Sequence, residues 1–454
     1  MRIHQISRFH NIGQGLFYSS DFYLSDNRQR FRYIIDCGTS NEIELIKGEV
    51  MRYANTFGKD NKFLDVLMIS HLHWDHVSGI PILLSAFKKK GIMVKRFILP
   101  YFDGPTRAFL LVKWKRYAGL LGSWFFDFII DPLDYLVRKF GDVIKEIYVV
   151  MPSYPNNSRI DKIIPPKIKD KNDIVGVEKE DVEEPKDLKK PKGMNGTSVK
   201  YVRGCRLSIF SSIEFDFWFR PVTGSLIRAF RRVVQDSIKK EGSLENLLEK
   251  LKKGSLGTHH LVKAYDTLSS NYGMDFNDTS LCVSIIAIDL KGEFSYILFD
   301  RYKYYPLPSL GPFPRRLREV FDRSIRVSKH NSIRKIINTV PLPIEYNNLK
   351  LKFGYLFTGD MMLADKGLYD KFLSHYRLKK EKIHVLYVPH HGAKTSWNIE
   401  LIKDFKKPFS VVSAREDAST GHPNYRVVND LDLNVPWVLV NENNPFNHYV
   451  ELFF

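Results

Sequence analysis

The sequence predicts an α/β or α+β fold built in layers, with its functional site on one rim. Three observations carry that prediction. Apolar runs of strand length recur along the chain, as in "KFLDVLMIS", "TSLCVSIIAIDL" and "KPFSVVSA". Helical patterns such as "GIPILLSAFKKKG" and "MMLADKGLYDKFLSHY" lie between them, and polar residues collect where the apolar runs end. At 454 residues the chain has room for one large domain with insertions or for two to three domains, and in either case for a sizeable core.

Taken in order, "FYLSDNRQRFRYIIDCGTS" and "KFLDVLMIS" read as strands ending in turns, the second delivering "HLHWDH" at its C-terminal end. The next pattern is a helix stopped by Gly91. Further strands are expected at "TSLCVSIIAIDL", "YLFTGD", "KIHVLYVPHHG" and "KPFSVVSA". Two stretches break this rhythm. An insertion over residues 100–275 carries the basic helical sequence "IRAFRRVVQDSIKKEGSLENLLEKLKKG". It encloses a charged segment near 167–192, which lacks an amphipathic period and is expected to be a mobile loop. A second, basic insertion near 302–348 contains "PRRLREVFDRSIRVSKHNSIRK". The layered domain itself is then expected in two halves, residues 1–99 and 276–454, with no internal repeat.

Lys and Arg outnumber Asp and Glu by 69 to 51, a formal net charge of +18. That balance favours a polyanionic partner, nucleic acid first and an anionic membrane surface second. The cysteines Cys37, Cys205 and Cys282 are far apart and form no CxxC pair. Neither a disulfide framework nor a thiolate zinc site is expected, and a cytoplasmic, reducing compartment fits. The N-terminus has no secretory pattern, and no transmembrane segment of about 18 uncharged apolar residues occurs. The aromatic segment from Ala108 to Val137 comes nearest, but Lys113, Lys115, Arg116, Asp127 and Asp131 interrupt it. It reads as buried or amphipathic helix rather than a membrane contact.

The densest chemistry lies in "SHLHWDH". His71 and His73, two residues apart at a strand end, project the same way and can grip one divalent ion. Asp75 and His76, in the turn beyond, can reach a second. A lone histidine would more simply cap the following helix. Several imidazoles packed together need a cation or a balancing charge.

This motif resembles the second signature of the metallo-β-lactamase superfamily, and further signatures follow in order. "YIIDCG" supplies Asp36, resembling the aspartate that orients ligands from behind. "YLFTGDMM" supplies Asp360, resembling the carboxylate that bridges both metals. "VLYVPHHGAKTS" supplies His390 and His391, resembling the late histidine that completes the second metal; His390 is taken as the ligand and His391 as its support. A narrower resemblance, to the metallo-β-lactamase domain of DNA-uptake competence proteins, rests on "FHNIGQGLFY", "NDTSLCVSI", the TGD, the HHG and "TGHPNYRVVNDL". It implies an αββα sandwich, here with two large insertions, that binds two divalent metal ions: zinc or manganese, with magnesium as the alternative.

The chain departs from the superfamily at one place. Where most of its hydrolases carry a third histidine for the first metal, this sequence has Asn277 and Asp278. Either could donate an oxygen, Asp278 being taken as the ligand and Asn277 as its support, and an oxygen donor there suits manganese or magnesium better than zinc. The bland alternative is a turn whose Asn and Asp cap a strand. His422, in "GHP", is a candidate for contacting a phosphate or protonating a leaving group, held in place by the proline after it.

The expectation is therefore a metallo-hydrolase, a phosphodiesterase acting as a nuclease on DNA or RNA. Its metal ligands would be His71, His73, Asp75, His76, Asp278, Asp360 and His390, and its catalytic residues Asp75, Asp360 and His422. Arg315, Arg316, Arg323 and Arg326 in the second insertion would hold phosphates. One rival is a hydrolase of small esters, lactones, thioesters or cyclic nucleotides on the same fold. The other is a binding or scaffold protein with a vestigial metal site, whose insertions dock a protein partner.

Overall fold

The computed structural model describes the chain except residues 25–28, 59–60, 116–120, 153–165, 169–173, 189–190, 192–195, 220–224, 254–257, 273–279, 289–294, 300–352, 416 and 418–420. The first strands are β1 (Arg2–Phe9), β2 (Gly15–Leu24), β3 (Arg30–Thr39), β4 (Phe63–Met68), β5 (Met93–Pro100) and β6 (Ile144–Val150). Five follow as β7 (Val175–Asp181), β8 (Ser198–Ile209), β9 (Ile213–Phe219), β10 (Leu281–Ala287) and β11 (Ser295–Phe299). The last are β12 (Gly354–Phe357), β13 (Val385–Tyr387), β14 (Phe409–Ser413), β15 (Trp437–Val440) and β16 (Phe446–Phe453).

These strands form one hydrogen-bonded path, β11-β16-β1-β2-β3-β4-β5-β6-β8-β9-β10-β12-β13-β14-β15, with β7 attached to β8. The path turns over at β8, which runs parallel to β6 from Ser198 to Val202 and antiparallel to β9 from Arg206 to Ile209. Gly204 lies between those two stretches at φ 59°, a backbone state that glycine reaches without penalty.

The two halves of the path face each other. One apolar core joins Ile3, Phe9, Tyr33, Val66 and Met68 from the first half to Phe215, Val283, Tyr355, Phe357 and Tyr387 from the second. Tyr33 meets Phe215 edge-on at 4.9 Å, and Tyr18 meets Phe357 at 4.7 Å. Strand alternation then dictates the outer layers. Leu67, between Val66 and Met68, turns to a helical core with α1 (Ile43–Ala54), α3 (Ile80–Lys90) and α4 (Gly104–Lys115). That layer also holds α5 (Ser123–Ile130), α6 (Pro132–Phe140), α7 (Ser225–Glu241), α8 (Leu244–Lys253) and α9 (His259–Tyr272). On the far side, Leu356 and Leu386 pack on α10 (Lys366–Tyr376), α11 (Glu400–Asp404) and α12 (Tyr425–Asn434). The result is helices, sheet, sheet, helices. Fully burying each such Leu or Phe contributes about 1.5–3 kcal/mol, so the sandwich is held by many modest terms.

Local signals place the helices. Gly91, left-handed at φ 63°, ends α3. Asp131 and Asp365 cap α6 and α10 by accepting from Asp134 N at 2.9 Å and Leu368 N at 2.7 Å. The aromatic segment around Ala108 to Val137 forms α4, α5 and α6, with Phe109, Leu110, Phe125, Phe128 and Leu136 buried. No described helix is long and apolar enough to cross a membrane.

Three details differ from the expectation. "FYLSDNRQRFRYIIDCGTS" is not one strand but the end of β2 and the whole of β3, which pair antiparallel. The charged segment near 167–192 contains β7, whose Glu178 and Glu180 meet Arg206 and Arg203 on β8 at 3.3 and 3.2 Å. Those cross-strand partners substitute for an apolar face, which is why hydrophobic periodicity did not reveal the strand. Residues 100–275, expected as a helical insertion, supply β6, β7, β8 and β9 to the sheet as well as helices. The second expected insertion, 302–348, lies outside the described residues.

Buried histidines make the fold sensitive to acid. His10 binds Glu49 through Nδ1 at 2.8 Å and Ser19 through Nε2 at 2.9 Å, and burial pushes its pKa down to about 4. His448 lies between the sheets against Tyr355 OH, and burial pushes it down to about 3. Both folded values lie below the ordinary histidine value, so the unfolded chain takes up protons first. The stability these groups confer is present above about pH 6.5 and is lost as pH falls through their folded values. We expect the metal-free protein to lose about 1.4 kcal/mol per pH unit per such histidine between pH 6.5 and 4. Urea melts across that range should show a shallower decline in His448→Gln; an identical slope would mean that His448 does not titrate in this way.

Candidate metal centre

The site forms at the C-terminal ends of parallel strands from both sheets: β3 and β4 on one side, β12, β13 and β14 on the other. Such ends are where open α/β sheets leave crevices and free polar groups. On β3, Phe17 of β2 pairs with Cys37 and Tyr18 with Ile35, so Asp36 between them has no cross-strand mate. It is a bulge residue at φ 55°, and the bulge re-aims its carboxylate. Oδ1 accepts from Ser70 N at 2.6 Å, and Oδ2 accepts from Ser70 Oγ at 2.6 Å and His76 Nδ1 at 2.7 Å.

Beyond β4 the chain bends at Ser70 and passes through His71–His73 into the short helix α2 (Trp74–Val77). This turn packs directly on β3. A Cβ on Gly38 would stand 2.4 Å from the His76 carbonyl carbon and 2.5 Å from Val77 N. Only glycine permits that approach, and it sets the depth at which His76 enters the site.

Asp360, just after β12, is the centre of the arrangement. Its Oδ2 lies 3.3 Å from His71 Nε2, 3.7 Å from His73 Nδ1 and 3.6 Å from His390 Nε2. Its Oδ1 lies 3.2 Å from His76 Nε2. His391 Nε2 faces Asp75 Oδ2 at 3.1 Å, while its Nδ1 donates to Ser413 O at 2.7 Å. The HHG turn after β13 makes this possible. His390 and His391 adopt left-handed backbone, φ 48° and 54°, so neighbouring imidazoles that would diverge in a strand converge on the same carboxylate cluster.

Two groups emerge whose ligand atoms lie within 4.8 Å of one another: His71, His73 and Asp360, and Asp75, His76 and His391. The donor set fits divalent metals. Asp360 Oδ1 and Oδ2, His71 Nε2 and His76 Nε2 are buried without a hydrogen-bond partner among the described residues. Polar atoms left this way in a core are costly unless something else satisfies them. The opposite ring nitrogens are held from behind: His71 Nδ1 by Ser70 Oγ at 2.9 Å, His76 by Asp36 and His391 by the Ser413 carbonyl. That outer shell is characteristic of histidines whose second nitrogen binds a metal.

The sequence expectation placed His390 in the second group and His391 behind it. In the structure His391 lies with Asp75 and His76, and His390 approaches the Asp360 oxygen that faces His71 and His73. The turn conformation decides this, and spacing in the sequence carries no trace of it. Asn277, Asp278 and the arginines Arg315, Arg316, Arg323 and Arg326 lie outside the described residues. His422 is brought alongside, its ring 5.3 Å from that of His390. Its loop is tied to the HHG turn by Asn424 N donating to Gly392 O at 2.9 Å. Sequence reasoning missed Ser70, Ser396 and Ser413, whose partners are set only by folding. It also missed Trp114 near the end of α4, which meets the His73 ring edge-on at 5.7 Å.

Electrostatics follow from this crowding. Burial, then the nearby His76, hold His71 below the ordinary imidazole value. Burial and the Lys113 charge push His73 down to about 3. For His76 burial works against protonation, but the charges of Asp360 and Asp36 prevail and raise its pKa well above the usual value. Burial would raise Asp360, yet His390, His71 and His76 hold it well below the carboxylate range.

Residues 18–187 match the family model described as "Metallo-beta-lactamase superfamily". With the four-layer architecture, that match identifies a metallo-β-lactamase superfamily domain and fold. It covers Asp36 and the HxHxDH motif and ends before Asp360, which the fold itself brings to them. Among solved structures, the metallo-beta-lactamase fold protein YhfI from Bacillus subtilis aligns at 12% identity over 46% of this chain and 58% of its own, with TM-score 0.20. The long form RNase Z from yeast aligns at 8% identity over 91% of this chain and 36% of its own, with TM-score 0.30. Under two thirds of either of those chains is spanned. No curated protein matches.

Proposed function

We propose that this chain, which carries a metallo-β-lactamase superfamily domain, is a metal-dependent phosphodiesterase that cleaves nucleic acid. One observation carries the reading: the buried Asp360 carboxylate, approached by four imidazole nitrogens at 3.2 to 3.7 Å and hydrogen-bonded by none of the described residues. His71, His73, Asp75, His76, Asp360 and the HHG histidines would hold two divalent ions. Such ions supply Lewis acidity to a phosphoryl oxygen and bring the pKa of a water towards neutrality.

The chain's own residues do the rest. Asp36 fixes the His76 ring by accepting from Nδ1, so Nε2 stays aimed at Asp360. Asp75 Oδ2 sits against His391 Nε2 at 3.1 Å. His422, anchored through the Asn424 contact to the HHG turn, stands beside His390, where it can hand a proton to a departing sugar oxygen. The net charge of +18 favours a polyanionic substrate over small neutral esters or lactones. Part of the basic charge on α7 and α8 is already engaged: Arg231 pairs with Asp103, Lys250 with Glu241 and Lys252 with Asp127. Exposed cations such as Lys394 beside the HHG turn and Arg426 after the GHP loop remain at the rim.

Incubation of purified protein with circular single- and double-stranded DNA and with RNA, across Mn²⁺, Mg²⁺ and Zn²⁺, tests the reading. Cleavage of at least one nucleic acid that chelator abolishes is expected. Turnover of lactones or thioesters with no nucleic acid cleaved would replace it with the small-molecule reading.

A further inference from the structure

We infer that the HHG turn supplies one ligand to each metal position, with His390 completing the first beside His71, His73 and Asp360 while His391 completes the second. This rests on the dinuclear reading above. It assigns to His390 the place for which Asn277 or Asp278 stood as sequence candidates.

With metal–nitrogen and metal–oxygen bonds of about 2.0–2.2 Å, tetrahedral ligand atoms stand roughly 3.4 Å apart. Three imidazole nitrogens surround Asp360 Oδ2 near that separation: His71 Nε2 at 3.3 Å, His73 Nδ1 at 3.7 Å and His390 Nε2 at 3.6 Å. The other oxygen of the same carboxylate faces His76. Asp360 therefore divides the histidines into two sets, and His390 falls on the side of His71 and His73.

Hydrogen bonding points the same way. His390 Nδ1 contacts Ser396 Oγ at 3.2 Å, leaving Nε2 toward Asp360. His71, His76 and His391 share this pattern, one nitrogen tethered from behind and the other aimed inward. His390 is also the most accessible of the five imidazoles, its side chain 13% exposed. Its nitrogens are not within 4.8 Å of every donor of the His71, His73 and Asp360 group, and this exposure gives it room to move in when an ion arrives. Its left-handed backbone fits this use, because strain of that kind is tolerated where it positions a functional side chain.

The test is metal stoichiometry rather than turnover. Apo protein is titrated with Co²⁺ against a chromophoric chelator, and folding of each variant is checked by circular dichroism. Wild type should take up two equivalents. His390→Ala, His73→Ala and the double variant His390→Ala/His73→Ala should each keep one, because both residues serve one position. His390→Ala/His391→Ala should keep none.

His390→Cys supplies a direct readout. It should restore the second equivalent and show a thiolate-to-cobalt charge-transfer band, which persists with His391→Ala and vanishes with His73→Ala. Two equivalents retained in His390→Ala, or no band in His390→Cys, would overturn the assignment. So would a band lost with His391→Ala and kept with His73→Ala, which would put His390 at the second position. Two bound ions with this pattern but no phosphodiester cleavage would leave the assignment standing and overturn the proposed activity instead.

Discussion

Asp360→Asn is expected to cost the protein both metal ions and to slow phosphodiester cleavage by at least about a thousandfold, equivalent to roughly 4 kcal/mol of lost transition-state stabilisation. One oxygen of Asp360 faces His71, His73 and His390, and the other faces His76, so a single side chain serves both halves of the site. An amide keeps one acceptor oxygen and replaces the other with an NH₂ group, which cannot bind a cation. It also removes the negative charge that offsets two dications in a buried position. Metal analysis after reconstitution and a cleavage assay read the two effects separately. A variant that retains two ions and more than a tenth of the wild-type rate would show that Asp360 does not bridge the positions. His73→Ala should lose only one ion, so the comparison distinguishes a shared ligand from a private one.

How far this site was legible in the sequence depends on which residues lie close together in the chain. His71, His73, Asp75 and His76 fall within six residues on a strand end and the turn after it, so local geometry alone aims them together. Asp36 lies at a bulge near the end of β3 and Asp360 just after β12, where strands deliver side chains to one rim. Their pairing with the histidines needs the sheet order, which alternation does not encode. His390 and His391 mark the limit more sharply. They are adjacent in sequence, yet left-handed backbone at both sends one toward Asp360 and the other toward Asp75. Residue type and spacing are the same for either assignment, so the sequence alone could not separate them.

The fold shows the same division. The signal of a continuous apolar run marked β4, β10, β12 and β14, because each buries apolar side chains on both faces, between a sheet and a helical layer. It failed for β7, whose stabilising partners are arginines about 25 residues away on β8. It also failed to show that residues 100–275 continue the sheet. β8 belongs to both halves of the path, and a strand that changes partners midway reads in the sequence like any other.

His422→Gln should lower cleavage of nucleic acid by about a hundredfold or more, the range for losing a positioned general acid, while metal content stays unchanged. His422 follows the ligands in the chain and stands next to His390. Asn424, two residues on, donates to Gly392 O, so the loop moves with the HHG turn rather than independently. Gly392 itself, at φ 79°, leaves no space for a side chain against Pro423, whose Cβ would lie 2.8 Å from an added Cβ. The imidazole is thus held near the cluster without belonging to either ligand group. A proton donor matters only when the leaving oxygen needs a proton. A sugar alkoxide does; p-nitrophenolate, released from a synthetic phosphodiester, does not. The loss on nucleic acid should therefore shrink to a few-fold on the p-nitrophenyl substrate. Equal losses on both substrates would assign His422 to holding the phosphate, and no loss on either would reduce it to packing the loop against the HHG turn.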